Sequence, residues 1–104
     1  MKRAAFKMML KPGATEEYKR RHDEIWPELV ATLEQSGISD YAIWLDEATG
    51  ILFACQKLKD HNQSDRLSEQ PIIKKWWAYM SDLMETNPDL SPICIDLAPM
   101  FYMD

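Results

Sequence analysis

Cysteine, glycine and histidine are scarce in this sequence, and each scarcity closes off a class of chemistry. The two cysteines, Cys55 and Cys94, have no further spacing pattern, so they form neither a disulfide framework nor a zinc site. Both sit in apolar runs and are expected to be small buried hydrophobes with reduced thiols. The three glycines, Gly13, Gly37 and Gly50, are too scattered for a phosphate-cradling loop. The two histidines, His22 and His61, form no H-E-x-x-H pattern. His22-Asp23-Glu24 are adjacent, so on a helix their side chains point in different directions. Zinc needs three or four ligands at workable spacings; no metal and no cofactor is expected. Signatures of Ser–His–Asp or Cys–His nucleophiles are also missing.

Long apolar runs are missing too. Nothing approaches the roughly 20 residues of a membrane span. Met1-Lys2-Arg3 carries the charge of a signal-peptide start, but Lys7 and Lys11 interrupt the stretch where an apolar core would have to stand, and a cytoplasmic protein is expected. Positive charge is in the minority: 12 Lys and Arg against 17 Asp and Glu give a net charge of −5 and a pI near 5.0. Nucleic acid would repel such a surface. The one basic cluster, Lys19-Arg20-Arg21, reads as a solvated helix face. A small neutral ligand suits this balance better than an anion.

With 46% hydrophobic and 28% charged residues, the chain is expected to fold as one domain, 1–104. A domain of this size buries only about two thirds of its unfolded surface. An enclosed pocket is then hard to build from one copy, and a two-fold homodimer is the expected remedy.

Ala4 to Leu10 reads as a strand ended by Pro12-Gly13. Tyr18, His22, Ile25, Leu29 and Leu33 recur at spacings of three and four, which is one helical stripe. Pro27 interrupts it, because it cannot donate a backbone hydrogen bond and its ring crowds the preceding turn; a kink or break is expected just before it. Tyr41–Leu45 and Ile51–Leu58 read as a hairpin around a loop containing Gly50. Alternation puts Tyr41, Ile43 and Leu45 on one face, and Ala42 and Trp44 on the other. Residues 60–66 read as a loop or weak turn. Pro71 opens a second helix whose apolar period runs through Met84 and stops at Asn87-Pro88. A last run, Ile93 to Tyr102, contains Pro99, which argues for an edge or a bend. The order is strand, helix, strand, strand, helix, strand. The fold class is α+β: a ferredoxin-like βαββαβ antiparallel sheet with helices on one face. The opposite face, carrying Trp44, needs a cover, and a second copy would supply it.

His61 lies in a polar segment and reads as a solvated residue. His22 fits two roles, a core-edge histidine bonded to a backbone carbonyl or an acid–base group. Trp76-Trp77 is unusual because adjacent helical side chains point about 100° apart. The pair fits one core indole beside one at an edge, or the wall of a pocket. Indoles pack on the apolar C–H face of a sugar while N–H groups bond its hydroxyls.

Three blocks carry a family resemblance: Glu17-Tyr18-Lys19-Arg20-Arg21-His22 followed by Ile25-Trp26-Pro27-Glu28-Leu29, then Asp40-Tyr41-Ala42-Ile43 with Leu45-Asp46, then Trp76-Trp77-Ala78-Tyr79-Met80 with Asn87-Pro88-Asp89. Together they resemble the L-rhamnose mutarotases over essentially the whole chain. The resemblance implies a dimeric α/β-barrel type of ferredoxin-like fold and an isomerase acting on the anomeric carbon of L-rhamnose. It implies that His22 is the proton donor and that Tyr18, Tyr41, Trp76 and Trp77 line the sugar. In the family an aromatic residue often follows the third strand; His61-Asn62-Gln63-Ser64 has none.

The implied chemistry suits these residues. Mutarotation needs a proton delivered to the ring oxygen and one removed from the anomeric hydroxyl, with no redox carrier. A histidine, titrating at about 6.5 when unperturbed, both gives and takes protons near neutrality. Two other readings are compatible with the residues alone: a haem-binding or cofactor-free monooxygenase of the same architecture, and a non-catalytic sugar-binding module.

Overall fold

Strand β1, Lys2–Met9, runs through the middle of a four-stranded antiparallel sheet, in the computed structural model that describes residues 2–104. Gly13, at φ +79, turns the chain into helix α1, Thr15–Asp23. The expected break before Pro27 is present. Trp26, preceding the proline, is extended at φ −66 and ψ 129, as the clash with the proline ring requires. Pro27 then starts helix α2, Pro27–Gln35, where its missing N–H costs nothing. Strands β2, Ile38–Asp46, and β3, Ile51–Leu58, form the hairpin. A tight turn at Ser64–Glu69 leads to helix α3, Pro71–Met80, and the chain returns as β4, Ile95–Asp96. The sheet order is β2-β3-β1-β4, the ferredoxin-like arrangement.

One face of the sheet carries the core. Met8, Leu52, Ala54 and Leu58 are buried there beneath Tyr18, Leu29, Ile73, Trp76 and Met80 of the helices. Ile43 and Leu45 also pack on this side. Between Ser39 and Ala42 the β2–β3 register shifts, so that Asp40 and Tyr41 together oppose Gln56. Asp40 takes a left-handed conformation, φ 48, to allow this bulge. As a result both Ile38, 2% exposed, and Tyr41 face the helices.

Four expectations are corrected. Helix α3 ends at Met80, not near Met84. Ser81 Oγ donates to the Ala78 carbonyl at 2.7 Å, the chain tightens over Ser81–Leu83, and Met84 is drawn into a bridge with Leu10. The last strand shrinks from Ile93–Tyr102 to two residues. After the Leu97 N–H bonds the Ala5 carbonyl at 2.9 Å, Pro99 cannot donate to a ladder and residues 97–104 take no regular structure. The cysteines are exposed rather than buried. Cys55 alternates with Ala54 and Gln56 onto the outer face, and Cys94 sits at the sheet edge. Arg21, finally, is no solvated charge; its side chain is 11% exposed.

The outer sheet face is open. Trp44, 70% exposed, pairs in register with Phe53, and Ile95 lies beyond β1 on the same side. Among the described residues no helix is long and apolar enough to cross a membrane.

Candidate active site

His22 stands on the last turn of α1. Its Nδ1 lies 3.0 Å from the Tyr18 carbonyl oxygen. A carbonyl can only accept, so Nδ1 carries the proton and donates it. Nε2 is then the nitrogen left for a ligand. The imidazole is packed against two aromatic rings: Tyr18 at 4.4 Å between centroids, tilted 30°, and Trp76 edge-on at 5.4 Å. Trp26 meets Trp76 at 5.0 Å and stacks on Tyr79 at 5.5 Å, which extends the wall. Burial among these rings lowers the His22 pKa below its ordinary 6.5, while the Tyr18 carbonyl pulls the other way. Burial also pushes the Tyr18 phenol far above its ordinary value, so it stays protonated as a hydrogen-bond donor.

Arg21, next to His22, fixes α1 against the end of α3. Its Nη1 donates to the Tyr79 carbonyl at 2.6 Å and to Asp82 Oδ1 at 2.8 Å. Its Nε donates to Glu17 Oε2 at 2.8 Å, and the guanidinium lies 4.4 Å over the Tyr79 ring. Glu17, bonded by Arg20 and Arg21, has its carboxyl held down at about 2. Lys19 and Arg20 are the exposed members of the basic cluster.

Between these helices and the sheet lies an open cavity of about 1110 Å³. Tyr18, His22, Tyr41, Trp76 and Trp77 are all among the residues that line it, and of these Tyr18, His22 and Trp76 are packed together. Their roles differ. Trp76 is buried and touches the imidazole, whereas Trp77 is half-buried and packs against the core. Tyr41 belongs to the open floor: it is 38% exposed, with its ring edge-on to Phe6 at 6.4 Å and its hydroxyl desolvated enough to push the phenol up to about 12. His61 is exposed and outside the cavity.

Phe6, Asp96 and Gln56 are among the lining residues that sequence reasoning misses. Phe6 and Asp96 face each other in register across β1 and β4, a pairing that a two-residue strand does not announce. Gln56 could have been found: it is the polar member of the inward series Leu52, Ala54, Gln56, Leu58. Among the described residues no group of three or more His, Cys, Asp or Glu side chains could hold a metal ion. The segment with no aromatic after β3 is closed by its own side chains. Asn62 Nδ2 donates to the Lys59 carbonyl at 2.9 Å, and Asn62 Oδ1 accepts from the Ser64 N–H at 3.0 Å.

Comparison with known proteins gives this arrangement a context. The family model described as L-rhamnose mutarotase matches residues 3–103. L-rhamnose mutarotases from Phocaeicola vulgatus and Bacteroides thetaiotaomicron are each 54% identical over 104 residues, covering all of both chains. One from Flavobacterium johnsoniae is 55% identical over 102 residues, 98% of this chain and 95% of the relative. The crystal structure of an L-rhamnose mutarotase from Formosa agariphila superposes with a TM-score of 0.93 at 46% identity, with all of both chains covered. Fold, cavity and end-to-end likeness agree, and the chain belongs to the L-rhamnose mutarotase family.

Proposed function

We propose that the protein is an isomerase that interconverts the α and β anomers of L-rhamnose, with His22 as the proton donor. The protonated imidazole gives its proton to the ring oxygen as the bond from C1 to that oxygen breaks. The anomeric hydroxyl loses its proton to water, which leaves an open-chain aldehyde. Rotation about C1–C2 and the reverse proton movements close the ring on the other face of C1. Trp76 and Trp77 offer indole surface to the C–H face of the sugar, and the protonated phenols of Tyr18 and Tyr41 donate to its hydroxyls.

The single observation behind this reading is the held imidazole. Nδ1 is committed to the Tyr18 carbonyl, so proton exchange falls to Nε2, in a cavity walled by indole. A positioned acid–base group typically contributes roughly 10²- to 10⁴-fold. His22→Ala should therefore slow anomer exchange by about that factor while sugar binding stays largely intact. Saturation-difference NMR reads the exchange; unchanged rates in the variant would remove His22 from the mechanism.

The reading extends to the assembly. A single catalytic domain, residues 1–104, pairs with a second copy through the open sheet face around Trp44 and Phe53. A cytoplasmic setting suits the two free, exposed thiols.

A further inference from the structure

Over Ala4–Met8 and Leu52–Leu58 the inward faces of the two central strands are apolar with one exception. β1 contributes Ala4, Phe6 and Met8, and β3 contributes Leu52, Ala54 and Leu58; Gln56 stands among them in register with Ala4. It is 9% exposed, and it lines the cavity. A carboxamide offers two donor hydrogens and an oxygen with two lone pairs. Burying such a group without partners is costly, and a leucine would continue the series at no such cost. Yet no buried side-chain polar atom among the described residues lacks a partner, and Gln56 lines the cavity, so its amide atoms open into that space. The bulge in β2 sets Asp40 and Tyr41 opposite Gln56, and Tyr41 and Gln56 both line the cavity. The two polar groups lie on the sheet floor and line the same cavity as the imidazole of α1.

We propose that Gln56, acting with Tyr41, is a specificity-determining residue that bonds a ring hydroxyl on the side of the sugar turned away from His22. A hydroxyl both donates and accepts, which matches the carboxamide; a hydrogen or a methyl at that ring position leaves the amide buried and unpaired. The inference rests on the anomer-exchange reading and adds which group on the protein reads the substrate's hydroxyl pattern.

The test compares the intact protein with Gln56→Leu on L-rhamnose and on its monodeoxy analogues at C2, C3 and C4. NMR exchange gives kcat and KM, and calorimetry gives Kd. For L-rhamnose, Gln56→Leu should raise KM and Kd about ten-fold with kcat within about two-fold. One analogue should show the same loss on the intact protein and no further loss on the variant. The unfolding midpoint should stay level or rise, since a buried amide has been replaced by an apolar group. Unchanged affinity in the variant, or equal losses for every analogue on both proteins, would overturn the proposal. So would a fall in kcat alone. Gln56→Asn, one methylene shorter, should lose the same contact and serves if the leucine variant does not fold. If the intact protein fails to exchange the anomers, the activity reading falls instead; the Kd comparison still decides the role of Gln56.

Discussion

A histidine that must act as an acid, yet sits where burial disfavours its charge, is under opposing demands. The His22 pKa is lowered by desolvation, so the folded state binds that proton less readily than the unfolded chain, which titrates at about 6.5. Proton donation therefore weakens as pH rises through a midpoint below 6.5, with the rate falling about ten-fold per pH unit beyond it. The stability contribution has the opposite sense: it is present above the unfolded value and is lost as pH falls through the folded one. A pH–rate profile on the intact protein checks the first statement, and one that rises through this range would mean that the neutral imidazole is the working form. At this scale the sequence is informative where a residue type is rare. His22 and the paired indoles stand out among 104 residues. Gln56 does not, because the apolar content of its strand masks the alternation that makes one polar member conspicuous. The thiols are hidden for the same reason: an apolar run does not say which of its residues face inward.

Among the elements, the junction of α1 and α3 decides where the imidazole sits. Lone exposed ion pairs contribute little, but Arg21 gathers a carbonyl, two carboxylates and an aromatic face onto one guanidinium that is 11% exposed. Lysine cannot reproduce that fork. Arg21→Ala should lower the unfolding midpoint by about 5 °C. It should also cut kcat by about ten-fold, because α1 is freed from α3 and the contact of His22 with Trp76 loosens. Calorimetry and NMR exchange measure the two, and full activity in a destabilised protein would show that the clamp serves the fold alone. Element ends show where pattern reading stops. Pro27 announces its break because a proline acts on its own backbone. The end of α3 is hidden, since Leu83 and Met84 are buried like the helix residues before them but in a tight turn and a bridge to β1. The length of β4 is hidden too: pairing depends on what β1 offers at Phe6 and Lys7, which no local run of residues reveals.

For the molecule as a whole, the two faces of the sheet differ in character. One is covered by helices and holds the cavity. The other presents Trp44, Phe53 and Ile95 to solvent, the kind of apolar surface through which the proposed dimer would pair. The proposed dimer should appear as twice the mass of 12.2 kDa in light scattering. Trp44→Glu should shift it to the single-chain mass, since an unpaired charge would be buried between the sheets. A single-chain mass for the unaltered protein would contradict the assembly. The one-sided packing of helices is legible from element order and strand alternation. The bulge is not, because a one-residue phase change in β2 looks in sequence like an imperfect strand. That phase change makes the strand a gear with one extra tooth: Ile38 and Tyr41, three residues apart, both mesh with the helical side because Asp40 is skipped in the pairing. Were every residue of β2 paired one to one without that skip, the strand would have to choose between seating the isoleucine and presenting the tyrosine, so in this fold one unpaired residue, as much as any side chain, governs what the cavity floor can hold.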